Sequence, residues 1–220
     1  MTKRPACPIC KKRRPERFCP AVGERICAVC CGTEREVTLD CPSDCAYLIA
    51  AHRYELDHRK PLAESEVPFP NVEFSSNLIY DREPVLAGLG SAVLQFAAGR
   101  PELTDLQVLA ATAALAETYR TLSSGIYYEK PPVEPLSAEL YAALGKFVQD
   151  YKKQDGDRGG TAPVPPLKDS EIYYLLVFLA RMVRMRTNGR PRARIFLQFL
   201  RAQMPPSTSP EPQASRIILP

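Results

Sequence analysis

The chain has 220 residues, of which 45% are hydrophobic and 25% are charged, and this is enough for one or two domains with a hydrophobic core. Its formal net charge of +4 is too small to favour one class of partner. No apolar stretch is long enough to cross a bilayer, and Lys3 and Arg4 stand where a secretory signal would lead into an apolar run. We therefore expect a cytoplasmic protein with no membrane partner.

The cysteines are confined to the N-terminal part of the chain. The eight are Cys7, Cys10, Cys19, Cys27, Cys30, Cys31, Cys41 and Cys45, and residues 46–220 contain none. So short a segment cannot fold by burial of apolar side chains alone and needs disulfides or a bound metal. Because cytoplasmic thiols stay reduced, we expect residues 1–60 to form a metal-binding module, with disulfides as the alternative.

The spacing of these cysteines predicts zinc ligands. Cys7 with Cys10, and Cys27 with Cys30, form two C-x2-C pairs, in which a tight turn directs two sulfurs at one ion. Cys31 is adjacent to Cys30, and because neighbouring residues rarely chelate the same ion, the two should face different sites.

The last two cysteines predict the start of a helix. Cys41 and Cys45 have C-x3-C spacing, and Pro42 suits a first helical position. A helix that begins here would run to about Lys60 and place both sulfurs near its N-terminus. His52 shares the face of Cys45 and is a candidate substitute ligand, although we prefer a position at the surface or behind a ligand.

Eight ligands are enough for two tetrahedral zinc ions. The simplest assignment gives the first site Cys7, Cys10, Cys27 and Cys30, and the second site Cys19, Cys31, Cys41 and Cys45. An exchange of Cys30 and Cys31 is the main alternative, and spacing does not decide it. The small core around the ions is expected to consist of Phe18, Val22, Ile26, Val37 and Leu39, with a short strand over residues 37–39.

The strings CPIC, FCP, ICAVCCGTEREV and CPSDCAYL together resemble the Cys-rich N-terminal module of uncharacterised bacterial proteins. That resemblance covers residues 7–48 and implies no activity. More loosely, the segment is similar to HIT and MYND zinc fingers, and this similarity implies interleaved sites and a role in protein–protein contacts. Cys19 stands alone where those families have a pair, and Cys31 directly follows Cys30.

The rest of the chain predicts an all-α body. Residues 61–82 contain three prolines and are expected to form an extended linker laid across that body. Apolar residues at helical spacing predict about five helices in a bundle over residues 83–204, and the Pro/Ser-rich residues 205–220 are expected to be a disordered tail. The predicted fold class is therefore mainly α, a small two-zinc module followed by a helical bundle. The expected helices cover residues 84–98, 104–125, from 137 to about 151, from 169 or 170 to 186, and from about 195 onward.

A basic cluster lies near the C-terminal end of the body, where no acidic residue separates Ile172 from Met204. Its candidate nucleic-acid contacts are Arg181, Arg184, Arg186, Arg190, Arg192 and Arg194, with Arg201 beyond them and Lys11–Arg14 as further support. Arginine makes bidentate contacts to phosphate and to carboxylate alike. The preferred interpretation is that these arginines pair with acids of the same chain, such as Glu102, Asp105, Glu117 and Glu139.

Enzyme signatures are missing from the sequence. It contains no phosphate-binding glycine loop, nucleophile elbow or His-Glu-x-x-His motif, and it has two histidines. Eight cysteines that fill two four-ligand sites would leave no open position for catalysis. We therefore expect a non-enzymatic zinc protein that acts as a protein–protein interaction adaptor, with its helical body binding the partner. The alternative is a nucleic-acid-binding zinc protein that uses residues 181–201.

Overall fold

The computed structural model of the chain describes residues 5–157 and 165–204. The tail predicted over residues 205–220 lies outside the described residues. The mainly α architecture is confirmed, with a two-stranded sheet and a cysteine cluster near the N-terminus. No helix in the described ranges is both long enough and apolar enough to span a membrane.

A β-hairpin and two helices form the Cys-rich module, which we define as residues 5–60. Strands β1 (Arg17–Cys19) and β2 (Glu24–Ile26) are antiparallel and pair Phe18 with Arg25. Gly23 takes a φ of +75° in the turn between them, a conformation that glycine adopts without a steric penalty. Helices α1 (Ala28–Glu34) and α2 (Ala46–Asp57) follow.

Two expectations for this module are wrong. Helix α2 begins at Ala46 rather than at Pro42, because residues 42–45 form a turn and Cys45 is the N-cap. Residues 37–39 are not a strand, since their backbone N–H groups all turn back to the carbonyl of Glu34. The predicted core is also only partly right.

Of the five residues assigned to that core, Ile26 is fully buried and Leu39 packs beside it. Phe18, Val22 and Val37 are instead exposed to solvent. The cysteines take their place, because the cluster around Ile26 is otherwise made of Cys7, Cys19, Cys27 and Cys30.

The segment over residues 61–82 is less extended than predicted. It contains a 3-10 turn (Glu64–Glu66) and the short helix α3 (Ser76–Asp81), which is capped by the Ser75 hydroxyl. Its apolar side chains pack against the core of the body, and they are Phe69, Val72, Phe74 and Ile79. The segment is therefore docked on the body, as expected of a linker laid across it.

Five longer helices build the body. They are α4 (Glu83–Ala97), α5 (Asp105–Ser123), α6 (Pro135–Asp157), α7 (Asp169–Arg186) and α8 (Ile195–Gln203). A capping box is present at Thr104, whose N–H donates to the Gln107 side chain at 2.9 Å. Helix α6 begins two residues before Ser137 because the Glu134 carboxylate accepts the N–H groups of its first turn.

The body helices pack closely around one core. Helix α5 packs against both α6 and α7, and α4 packs against α6. Gly88 of α4 lies so near α6 that a Cβ there would be 2.2 Å from Cζ of Phe147. Asp105, at the start of α5, is fully buried and accepts the N–H groups of Phe196 and Leu197 at 3.0 and 3.3 Å, which fixes the start of α8.

Candidate metal centre and module–body junction

The first four-cysteine group converges on one point. The sulfurs of Cys7, Cys10, Cys27 and Cys30 all lie within 4.8 Å of one another, and those of Cys10 and Cys27 are 3.9 Å apart. A tetrahedral ion with metal–sulfur bonds of about 2.3 Å needs sulfur–sulfur distances of about 3.8 Å. A disulfide needs about 2.0 Å, and all eight cysteines are free thiols. The group therefore has the spacing of a metal site and could bind a metal ion.

The local backbone structure orients these four sulfurs toward one another. Cys27 is the N-cap of α1, and its sulfur accepts the N–H of Cys30 at 3.4 Å. The N–H of Cys27 in turn donates to the Cys7 sulfur at 3.3 Å. Lys11 closes the turn after Cys7 with a φ of +53° and an N–H bond to the Cys7 carbonyl at 2.7 Å. One C-x2-C pair thus lies in a turn and the other at a helix N-terminus.

Two of these thiols, Cys10 and Cys30, differ in acidity within this small volume. The backbone N–H groups of Arg13 and Lys12 lower the pKa of Cys10 to about 6. Burial, together with hydrogen bonds that the Cys30 S–H donates to neighbouring sulfurs, raises the pKa of Cys30 to about 12. Protons leave such a group stepwise because negative charges accumulate side by side. A bound cation supplies the charge that makes four adjacent thiolates compatible.

The other four cysteines share a second, looser environment. Cys19, Cys31, Cys41 and Cys45 line one cavity of about 10 Å³, roughly the space of one water-sized sphere. Their sulfurs do not converge as closely as the first group, which is the one four-ligand cluster found in the described ranges. Burial raises the pKa of Cys41, and the nearby charges of Cys19 and Cys45 add to this effect. Of the two adjacent cysteines, Cys30 lies in the first group and Cys31 in the second.

His52 is not directed at either cysteine group. Its Nε2 lies 2.9 Å from the Glu36 carboxylate, which also accepts the Asn188 side-chain amide at 2.9 Å. Glu36 is only 2% exposed and has a φ of +53°, a strained value for a non-glycine residue. Its N–H bonds to the Cys41 sulfur and its carbonyl accepts the N–H of Arg192 at 2.8 Å. Glu36 thus connects the second cysteine group to the body.

Nothing in the sequence pattern marked Glu36 as important. It lies in a charged stretch typical of a solvated surface, and its partner Asn188 is 152 residues away. The Thr-Asn-Gly sequence at residues 187–189 predicted a break after α7, and the break is present. No local sequence pattern predicted that Asn188, which lies within this break, would contact the Cys-rich module.

Most of the predicted nucleic-acid contacts are engaged within the chain. Arg181 donates to the carbonyls of Pro68, Phe69 and Val72, which fastens the docked segment to α7. Arg184 pairs with Glu66. The guanidinium of Arg186 lies 3.9 Å above the Phe199 ring.

The remaining arginines face the Cys-rich module. Arg190 donates to the Arg35 carbonyl at 2.8 Å and pairs with Glu55, and Arg194 pairs with Asp40 at 2.6 Å. Pairing with acids of the same chain is therefore observed, but the expected partners are wrong. Glu117 and Glu139 pair with Arg120 and Arg100, and the Asp105 carboxylate accepts amides of α8. The side chain of Arg192 is exposed.

Exposed apolar side chains concentrate on the Cys-rich module. Nine of the sixteen large hydrophobic residues that are exposed in the described ranges lie between residues 9 and 56. Among them, Tyr47 and Tyr54 are seven residues apart on α2 and so share one face. Phe18 lines the same cavity as Tyr47 and is 56% exposed. We call Phe18, Tyr47 and Tyr54 the aromatic surface.

Comparisons with protein-family models, with curated proteins and with solved structures find no match for this chain.

Proposed function

We propose that this chain is a non-enzymatic zinc protein whose metal sites shape a small module for binding another protein. The metal part rests on the first cysteine group, in which four sulfurs converge with the spacing of a tetrahedral ion. Four protein ligands leave no open position for substrate or water, which is the pattern of a structural rather than a catalytic site. Sulfur-only donors favour zinc among the common cellular ions.

A second zinc ion is part of this proposal. Its support is that Cys19, Cys31, Cys41 and Cys45 line one cavity and that no other strong ligand competes for it. The sulfurs would draw together around an ion. Elemental analysis of purified protein should therefore give about two zinc per chain. Cys41→Ser should reduce this to about one while the first group stays loaded, and iron in place of zinc, or one zinc in the unchanged protein, would contradict the scheme.

The partner surface is proposed to be the aromatic surface. Aromatic side chains dominate the energetics of protein interfaces, and exposed apolar patches of this kind mark interaction sites. The exposed basic run Lys11–Arg14 lies in the same module. The partner expected from this chemistry is a protein with an apolar pocket rimmed by acidic residues. The proposed partner surface thus lies on the module rather than on the helical body, where the sequence led us to expect it, and the body serves as a support.

The matching experiment compares the unchanged protein, a double variant and a single-site control in affinity capture. Phe18→Ala/Tyr54→Ala removes exposed rings and should lose the captured protein, while zinc content and helicity stay unchanged. Tyr80→Ala is the matched control, because Tyr80 is 77% exposed on α3 and lies outside the module. Equal capture by all three proteins would refute the proposed surface.

The same preparations test the nucleic-acid alternative. An absorbance ratio that reveals co-purifying nucleic acid, released by salt and independent of Phe18 and Tyr54, would favour that alternative over the adaptor. The structure offers it less support than the sequence did, because five of its six candidate arginine side chains contact groups of their own chain.

A further inference from the structure

A cleft of about 370 Å³ lies where the Cys-rich module meets the body. One wall comes from α2 and the residues after it, and the other from the end of α7, the loop that follows and the start of α8. Small-molecule sites in proteins commonly have volumes of about 300–1,000 Å³. We call this space the junction cleft.

The junction cleft carries an excess of positive charge. Four arginines line it, and they are Arg59, Arg184, Arg186 and Arg190. The two carboxylates of its lining, Glu55 and Glu66, are already paired with Arg190 and Arg184. Two positive charges therefore remain without a carboxylate.

Those two charges belong to Arg59 and Arg186, which have no salt bridge to any residue within the described ranges. The guanidinium of Arg59 donates one bond, to the Thr187 carbonyl at 2.8 Å, and that of Arg186 stacks on Phe199. A guanidinium has five N–H donors, so both keep donors for a further partner. Partial burial, and then the charges of Arg184 and Arg186, lower the pKa of Arg59. An anion in the cleft would relieve that repulsion.

The cleft also has an apolar part. Leu56, Leu62 and Ile195 line it beside the arginines. Leu56 is 56% exposed and Leu62 is half-buried, so both offer apolar surface to an occupant. A ligand that fills this space would combine a charged group at the arginines with an apolar portion against these side chains.

We infer that the junction cleft binds a small phosphate monoester with an apolar portion. Two arginines without carboxylate partners match the double negative charge of a phosphate better than the single charge of a carboxylate, and guanidinium forks suit its oxygens. The neighbouring leucines and Ile195 would contact the apolar portion. Arg59 and Arg186 would then bind this ligand, whereas neither the proposed metal sites nor the aromatic surface involves them.

Titration calorimetry on the zinc-loaded full chain, at constant ionic strength, tests the inference with phenyl phosphate, inorganic phosphate and benzoate. Phenyl phosphate should bind at one site per chain, more tightly than either of the other two probes. Arg59→Gln and Arg186→Gln should each weaken it about tenfold, the loss typical of one hydrogen bond to a charged group. Arg192→Gln is the matched control, because that side chain is exposed outside the cleft and should leave the affinity unchanged.

Several results would overturn this inference. Equal affinity for benzoate and phenyl phosphate would remove the preference for phosphate, and equal weakening by Arg192→Gln would indicate non-specific attraction. No measurable binding of phenyl phosphate at millimolar concentration, in protein whose zinc content is complete, would refute the site outright. Binding of a single-stranded oligonucleotide that phenyl phosphate does not displace would indicate a nucleic-acid surface instead. None of these results bears on the aromatic surface, which has its own variants.

Discussion

The Cys-rich module and the body bury very different kinds of side chain. The buried cluster of the module contains five side chains, and Ile26 is its one member that is not a cysteine. The buried cluster of the body consists of apolar side chains drawn from α4 to α8. Helix α2 contributes a single buried side chain, Leu48, whereas α7 contributes eight. A body of this kind can be stabilised by the hydrophobic effect, but the module cannot.

This contrast indicates that the module, unlike the body, needs a bound ligand in order to fold. The body gains stability from area removed from water, and the module gains it only if something holds its sulfurs together. Between them lies a junction of polar contacts, including Glu36 with Asn188 and Arg190 with Glu55. We therefore expect each region to respond to a different kind of perturbation.

The largest effect should come from loss of the proposed zinc. Cys27→Ser, or removal of zinc with a strong chelator, should unfold the module, because structural zinc contributes about 10–16 kcal/mol of apparent binding free energy in small zinc peptides. Circular dichroism should show that most helical signal of the body persists. Ala21→Ser is the matched control at an exposed position of the same module. Complete loss of helical signal in Cys27→Ser would show that the regions do not fold independently.

A cavity in the body should destabilise the body and leave the module unchanged. Leu176 of α7 is fully buried, and Leu176→Ala should reduce the free energy of unfolding of the body by about 2–5 kcal/mol. Urea denaturation measures this, and zinc content should stay unchanged. Leu106→Ala, at a position 37% exposed on α5, should change stability by less than about 1 kcal/mol. Loss of zinc in Leu176→Ala would mean that the module depends on the body to hold its ion.

The features that the sequence predicted correctly depend on local patterns, both in the body and in the module. The five body helices follow from apolar spacing, the Thr104 capping box and the breaks around them, all of which are local. The two C-x2-C spacings predicted a four-sulfur group, and those sulfurs do converge, although zinc itself stays a prediction.

What sequence reasoning missed depends on distant contacts. Helix α1 is only seven residues long and contains Gly32 and Thr33, so it has neither the length nor the composition of a predictable helix. Glu36 is buried because Asn188 and His52 surround it, and no local pattern carries that information. The partners of Arg190 and Arg194 lie on the module for the same reason.

One pH effect should arise in the body, at Asp105. Burial raises the pKa of Asp105 from 3.8 to about 6. The folded state then holds its proton more tightly than the unfolded state, so this contribution to stability is present below pH 3.8 and is lost as the pH rises to about 6. The loss should reach up to about 3 kcal/mol.

Urea denaturation of the wild type and Asp105→Asn between pH 4 and 7 measures this effect. The stability of Asp105→Asn relative to the wild type should increase over that range, because the amide does not ionise. Glu102→Gln, at an exposed neighbouring position, should follow the wild type at every pH. A constant difference between Asp105→Asn and the wild type would contradict the raised pKa.

The smallest effect should come from the junction, and it tests whether the two regions communicate. Glu36→Gln keeps the size of the side chain but removes the charge that His52 and Asn188 share, which should cost about 1 kcal/mol. Because Glu36 also binds the Cys41 sulfur, the loss should appear as faster hydrogen exchange in α2 and faster zinc release from the second group. Exchange in α5 and α7 should not change. Glu24→Gln, exposed in β2, is the matched control. If Glu36→Gln instead accelerates exchange equally in α2 and α7, the chain unfolds as one cooperative unit, and the difference between a metal-held module and a hydrophobic body has no thermodynamic consequence.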